Sequence, residues 1–235
     1  MSTFRFKQFS IQQQNAAMKI GTDGVLLGGW ITHQVKSAER ILDIGTGTGL
    51  IALMLAQHYN EAQVDAVERS NSACLDASVN FSNSPFSSRL TLHETDILDF
   101  QSLGSFDLIV SNPPYFQNAL HAATQDRTEA RHQSGLTLAD LLKKASSLSS
   151  SDGLLGLILP HDLLANCLNL GKEVGWNAKH ICNVRGRNDR PIKRNLILFS
   201  KLQYEPEYSE LIIELSRHVY TDEYIELTRE YYLKM

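Results

Sequence analysis

The feature that most constrains this fold is an apolar run that ends in a turn of alternating glycines and then becomes helix. Ile41-Leu42-Asp43-Ile44 leads into Gly45-Thr46-Gly47-Thr48-Gly49 and then into Leu50 to His58. A short apolar run closed by a glycine turn reads as a buried strand, and the following Leu, Ala and Met residues read as the helix that leaves it. The alternation recurs. Val64–Glu68, Leu90–Leu92, Phe106–Val110 and Gly153–Pro160 read as further strands, with helices at about 71–80, 137–148 and 162–171. Strands alternating with helices predict an α/β protein with a mostly parallel, doubly wound sheet.

The pattern changes near the end. Ala178–Val184 and Asn195–Ser200 read as strands whose connection, residues 185–194, is too short for a parallel crossover and suits an antiparallel pair. Phe4 to Gln14 alternates loosely and reads as a strand or hairpin. Thr22-Asp23 precede Gly24 to Trp30, which reads as an N-capped helix. From Glu205 to Met235 eight acids meet three bases, a net of −5 against −4 for the whole chain, and the expectation is an acidic helical segment. With 235 residues and 43% hydrophobic content the chain can bury one sizeable core. A single domain over 1–235 is expected, with an N-terminal extension at about 1–38 and the acidic segment at about 205–235.

No signal-like segment opens the sequence and no stretch matches a membrane span, so a cytoplasmic, membrane-free monomer is expected. Cys74, Cys167 and Cys182 lie far apart without Cys-x-x-Cys spacing, and the histidines show no ligand spacing, so no metal is expected. The net charge argues against a general nucleic-acid coat. Yet Arg185, Arg187, Arg190, Lys193 and Arg194 crowd together with only Asp189 to offset them, a patch suited to phosphates.

Glycines at 45, 47 and 49 let the backbone approach a ligand at the carboxyl end of the first strand of the sheet, where open α/β sheets bind. Asp43 can accept from a ligand ammonium or hold a water there, and Glu68, ending the next strand, can accept from both ribose hydroxyls. Asp96 is placed for an adenine amine, or simply caps a turn. Asn112-Pro113-Pro114-Tyr115 supplies the discriminating chemistry. A conjugated amine is a poor nucleophile because its lone pair is delocalised, so a catalyst must favour a more tetrahedral nitrogen. The Asn112 side-chain oxygen and the Pro113 carbonyl can accept its two N–H bonds, the prolines hold them rigidly, and Tyr115 offers a flat face to a base. Residues 117–135, with Arg127, Arg131 and His132, read as a lid over the substrate or as a solvated loop.

The glycine turn resembles the cofactor loop of S-adenosylmethionine (SAM) methyltransferases. Asn112 to Tyr115 resembles the signature of members that methylate an exocyclic or amide nitrogen, and an antiparallel last strand marks their variant of the Rossmann-like sheet. With Phe9-Ser10-Ile11-Gln12-Gln13 and Lys19 to Gly28 included, nearly the whole chain resembles the bacterial tRNA adenine-N6 methyltransferases that modify the adenine 3′ of the anticodon in a valine tRNA. That resemblance implies a SAM-dependent enzyme acting on the anticodon region of tRNA. It places Gly45, Thr46, Gly47 and Gly49 in the cofactor loop, Glu68 on ribose, Asp96 near adenine and Thr22-Asp23-Gly24 over the methionyl end. Arg127, Arg131 and the basic link are the candidates for RNA. A glutamine-N5 methyltransferase would share the Asn-Pro-Pro-Tyr chemistry but normally carries an N-terminal helical domain. A DNA adenine methyltransferase would need a larger base-recognition region. An NAD-dependent oxidoreductase leaves Asn112 to Tyr115 idle, and a non-catalytic RNA-binding module explains only the basic link.

Overall fold

The computed structural model describes residues 3–16, 19–113 and 136–235. A hairpin of β1 (Thr3–Arg5) and β2 (Ser10–Gln12) precedes helix α1 (Thr22–Gln34). Next come β3 (Arg40–Ile44), α2 (Leu50–His58), β4 (Gln63–Glu68), α3 (Asn71–Ser82), β5 (Leu90–Glu94) and β6 (Phe106–Ser111). The chain continues through α4 (Leu138–Leu148), β7 (Ser149–Pro160), α5 (Leu164–Glu173), β8 (Asn177–Arg187) and β9 (Arg194–Ser200). It closes with β10 (Glu207–Ser216), β11 (Val219–Tyr220) and α6 (Asp222–Thr228).

Nine of these strands form one sheet in the order β11-β10-β8-β9-β7-β6-β3-β4-β5. Strands β3 to β7 run parallel, and β9 enters antiparallel between β7 and β8, as the short connection requires. The carboxyl ends of β3 to β8 and the start of β9 therefore share one edge. The chain winds outward through β4 and β5, then returns to β6 on the other side of β3. That reversal opens a crevice between β3 and β6.

The core explains why the strands read as continuous apolar runs. Ile41, Leu108, Val110, Leu196 and Leu198 face α1 and α2, whereas Leu42, Ile109, Ile197 and Phe199 face α4 and α5. Both faces of the sheet are covered, so neighbouring positions on one strand are apolar alike.

Two expectations are corrected. The acidic segment 205–235 is not helical throughout, because Glu207–Ser216 forms β10, parallel to β8, and helix is confined to α6. Leu211 and Ile213, two residues apart, reach the core, and Glu210 meets Arg185 on β8, so part of the acidity is matched across the strands. Thr22 and Asp23 do not precede and cap α1. They are its first residues, and Gly21 occupies the cap position without a side-chain hydrogen bond.

Candidate active site

The glycine turn lies at the sheet edge, and its three glycines have different reasons. All adopt positive φ, +71° at Gly45, +60° at Gly47 and +84° at Gly49, which disfavours any side chain. A Cβ on Gly45 or Gly47 would enter open space, whereas one on Gly49 would strike the Phe81 ring at 2.4 Å. Gly45 and Gly47 thus front the crevice, and Gly49 lets the start of α2 pack against α3.

Asp43 stands beneath this loop, 1% exposed. Its Oδ2 accepts the Thr46 hydroxyl at 2.6 Å and the Ala52 N–H at 3.1 Å, while Oδ1 has no hydrogen-bond partner among the described residues. Burial pushes the carboxyl up to about 7 against those two donors, with the Glu68 charge adding to the rise. A buried acceptor left unmatched is costly, and a ligand donor there would remove the cost.

Glu68 ends β4 beside the loop. Its Oε2 accepts the Gly47 N–H at 3.0 Å and its Oε1 the Ser70 N–H at 2.8 Å. Asp96 lies two residues past β5, where its Oδ1 accepts the Leu98 N–H at 3.0 Å and its Oδ2 lies 3.7 Å from Arg69. The turn-cap role of Asp96 is thus realised.

Across the crevice, β6 runs in register with β3, Val110 opposite Asp43 and Ser111 opposite Ile44. The buried Ser111 hydroxyl donates to the Ile44 carbonyl at 2.8 Å, locking the two strand ends together. Asn112, half-buried, and Pro113, buried, leave β6 there, directly beside the glycine turn. Pro114, Tyr115, Arg127, Arg131, His132 and the 117–135 segment lie outside the described residues.

Thr22, Asp23 and Gly24 reach the same edge because α1 starts over the start of α2. A Cβ on Gly24 would lie 3.1 Å from Leu50. Asp23 also holds Arg194 at the head of β9, Nε to Oδ2 2.8 Å. Of the basic link, Arg194 is therefore engaged with Asp23, and Arg185 with Glu210 and the Arg190 carbonyl. Among the described residues the Arg187 and Arg190 side chains meet the exposed Asp189, at 3.6 and 3.8 Å.

Two residues that the sequence reading did not single out hold the N-terminal segment against the loop. Buried Asn80 accepts the Gln12 N–H at 2.7 Å and donates to the Gln12 carbonyl at 2.9 Å and the Thr48 carbonyl at 2.8 Å. Asp76 accepts from the Asn15 and Ala16 N–H groups at 2.9 and 2.8 Å. Burial alone would raise the Asp76 carboxyl, but those donors hold it below the usual carboxylate range.

Among the described residues no cluster of His, Cys, Asp or Glu is arranged to hold a metal, and no helix is long and apolar enough to cross a membrane. Residues 24–163 match the family described as the methyltransferase small domain. A tRNA1(Val) (adenine(37)-N6)-methyltransferase from Flavobacterium psychrophilum is 42% identical over 236 residues, covering 99% of this chain and 100% of that protein. Among solved structures, a predicted O-methyltransferase from Agrobacterium tumefaciens superposes with a TM-score of 0.69 at 22% identity, over 89% of this chain and 96% of that one. An N-methyltransferase from Bradyrhizobium japonicum, in complex with S-adenosyl-l-homocysteine, gives 0.56 at 16% identity, over 75% and 84%. Those two likenesses are of fold.

Proposed function

Since the chain belongs to the methyltransferase small domain family and, within it, to the tRNA1(Val) (adenine(37)-N6)-methyltransferases, we propose that it methylates the N6 amine of the adenine 3′ of the anticodon in a valine tRNA, with SAM as donor. What most supports this reading is the adjacency of Asn112-Pro113 at the end of β6 to the glycine turn at the end of β3, joined by Ser111 and Ile44.

The residues suit SAM. Gly45 and Gly47 leave open space before the loop, and Asp43 Oδ1 is a buried acceptor without a donor. On this reading Asp43 takes the methionyl ammonium, directly or through a water, and Thr22, Asp23, Gly24 and Thr46 line that end. Glu68 accepts from the ribose hydroxyls, and the second Asp96 oxygen receives the adenine amine. When bound, SAM supplies an electrophilic methyl group on a sulfonium.

The chain's task is to make the target amine nucleophilic. The Asn112 side-chain oxygen and the Pro113 carbonyl accept its two N–H bonds, drawing the nitrogen toward tetrahedral geometry with its lone pair on the methyl carbon. Tyr115 supplies a face for the flipped base. With SAM bound, the C–N bond would form as the S–C bond broke, and the amine proton would leave afterwards from the cationic product. No strong base is required.

The test is transfer of labelled methyl from SAM to tRNA lacking the modification, followed by nucleoside analysis. N6-methyladenosine is expected, and absence of label in tRNA would overturn the proposal. Asn112→Ala should lower turnover by roughly 10²–10³, as losing one positioned transition-state hydrogen bond does, with SAM affinity nearly intact.

A further inference from the structure

Not every base of the link is available to a ligand. Arg185 and Arg194 are half-buried in ion pairs with Glu210 and Asp23. Arg187 and Arg190 share one exposed carboxylate, Asp189, in pairs that exchange readily for a phosphate.

Those two arginines line a cavity of about 340 Å³ together with Thr22, Tyr220, Tyr224 and Glu214 among others. The size falls within that of small-ligand sites. The Tyr220 and Tyr224 rings lie 5.1 Å apart at 33°, and because Tyr224 is buried, half-buried Tyr220 presents the ring that a ligand can reach. Tyr220 is held firmly, since it pairs with Glu214 across the β10–β11 hairpin and precedes Thr221, whose hydroxyl accepts the Tyr224 N–H to cap α6.

Guanidinium for phosphate, an aromatic face for a base and a carboxylate for a base amine or ribose hydroxyl are the three groups that a nucleotide uses. Arg187 ends β8 at the same edge as Asn112. Only β9 and β7 separate β8 from β6, a lateral step of roughly 14 Å at ~4.8 Å per strand, and the register sets Ser111 level with Ile181, which puts Arg187 about 20 Å further along the strand at ~3.3 Å per residue. That is too far for the target nucleotide and near enough for another on the same strand. Resting on the tRNA reading above, we infer that this cavity is a second nucleotide subsite. It seats a nucleotide a few positions from the target adenine, with its base on Tyr220 and its phosphate on Arg187 and Arg190.

The experiment uses unmodified valine tRNA transcript and the whole chain. It compares wild type with Tyr220→Leu, which keeps apolar packing without the ring, and with the double variant Arg187→Ala/Arg190→Ala. Calorimetry with SAM and thermal melting serve as fold controls. Tyr220→Leu should weaken tRNA binding roughly 5- to 100-fold, as loss of one base stack does, without changing the salt slope. The arginine variant should flatten that slope by about 0.7–0.9 for each lost phosphate contact. If Tyr220→Leu fails to fold, the arginine pair, on the exposed rim, decides alone. Wild type that methylates tRNA while the folded variants keep its affinity and slope would overturn the subsite and leave the activity standing. Wild type that transfers nothing to tRNA would remove the reading beneath it.

Discussion

The Glu68 carboxylate accepts the Gly47 N–H at 3.0 Å, so the acid at the end of β4 already grips the loop that the sequence assigns to the cofactor. The same group is thus expected to organise the loop before ligand arrives and to meet the ribose afterwards. Glu68→Ala should weaken SAM binding by about 1.5–3 kcal/mol, the usual size of hydrogen bonds to a charged group. Glu68→Gln should fall between, because its amide can accept from Gly47 or from Ser70 but not from both. Calorimetry that finds the alanine variant binding SAM like wild type would reduce Glu68 to a strand-end charge.

Asp43 is expected to make the ligand-free protein pH-sensitive. Its carboxyl lies near 7 when folded, against about 3.9 in an unfolded chain, so the folded state holds the extra proton between those values. The group's contribution to stability is fully present below about pH 4 and is lost as pH rises through about 7. SAM affinity should run the opposite way, rising through the same window as the carboxylate forms and levelling off above it. Asp43→Asn removes the buried charge, so at pH 8 it should stabilise the ligand-free protein, by at most about 4 kcal/mol, while SAM affinity falls and loses its pH dependence. Melting curves from pH 5 to 8 on both proteins test this, and a variant less stable than wild type at pH 8 would contradict it.

Arg194 is expected to act on the cofactor side of the site and not in the phosphate patch. Its bond to Asp23 fastens the first turn of α1 to the head of β9. Arg194→Ala should therefore weaken SAM and leave the salt slope of tRNA binding unchanged. A double-mutant cycle with Asp23→Ala should return a coupling of about 1.5–3 kcal/mol in unfolding free energy, the range of charge-assisted hydrogen bonds. Zero coupling would mean that the pair only fills surface.

How far the sequence carried can be judged at particular residues. The helix Leu50–His58 was legible to the residue because a glycine turn precedes it and its packing is local in origin. The position of Asn112 in the chain was legible because it follows an apolar run that reads as a strand, and β6 does end at Ser111. The strand Glu207–Ser216 was hidden, since a glutamate-rich run looks solvated until the side chain of Arg185, 25 residues earlier, is brought against Glu210. The three glycines looked equivalent, and only the Phe81 ring separates Gly49 from the others. Asn80 gave no signal because its partners Gln12 and Thr48 are 68 and 32 positions away, and a lone asparagine on a helix reads as a surface residue.

Asn80 is 1% exposed, and one amide satisfies three main-chain groups, the Gln12 N–H, the Gln12 carbonyl and the Thr48 carbonyl. Its first two bonds imitate a strand partner for β2, and the third fixes the loop between Gly47 and Gly49. Asn80→Ala would leave all three groups short of a partner at about 1–3 kcal/mol for each one that water cannot reach, so a loss of roughly 2–4 kcal/mol in unfolding free energy is expected. Asn80→Asp should be worse than its near-identical shape suggests, because an ionised carboxylate would set an acceptor against two carbonyls that need a donor. SAM affinity should fall in both variants, since the loop loses its anchor on α3. Denaturant unfolding at fixed pH, with and without saturating SAM, measures both effects. An alanine variant within about 0.5 kcal/mol of wild type, the range of ordinary surface substitutions, would show that β2 and the loop hold their places without this tie.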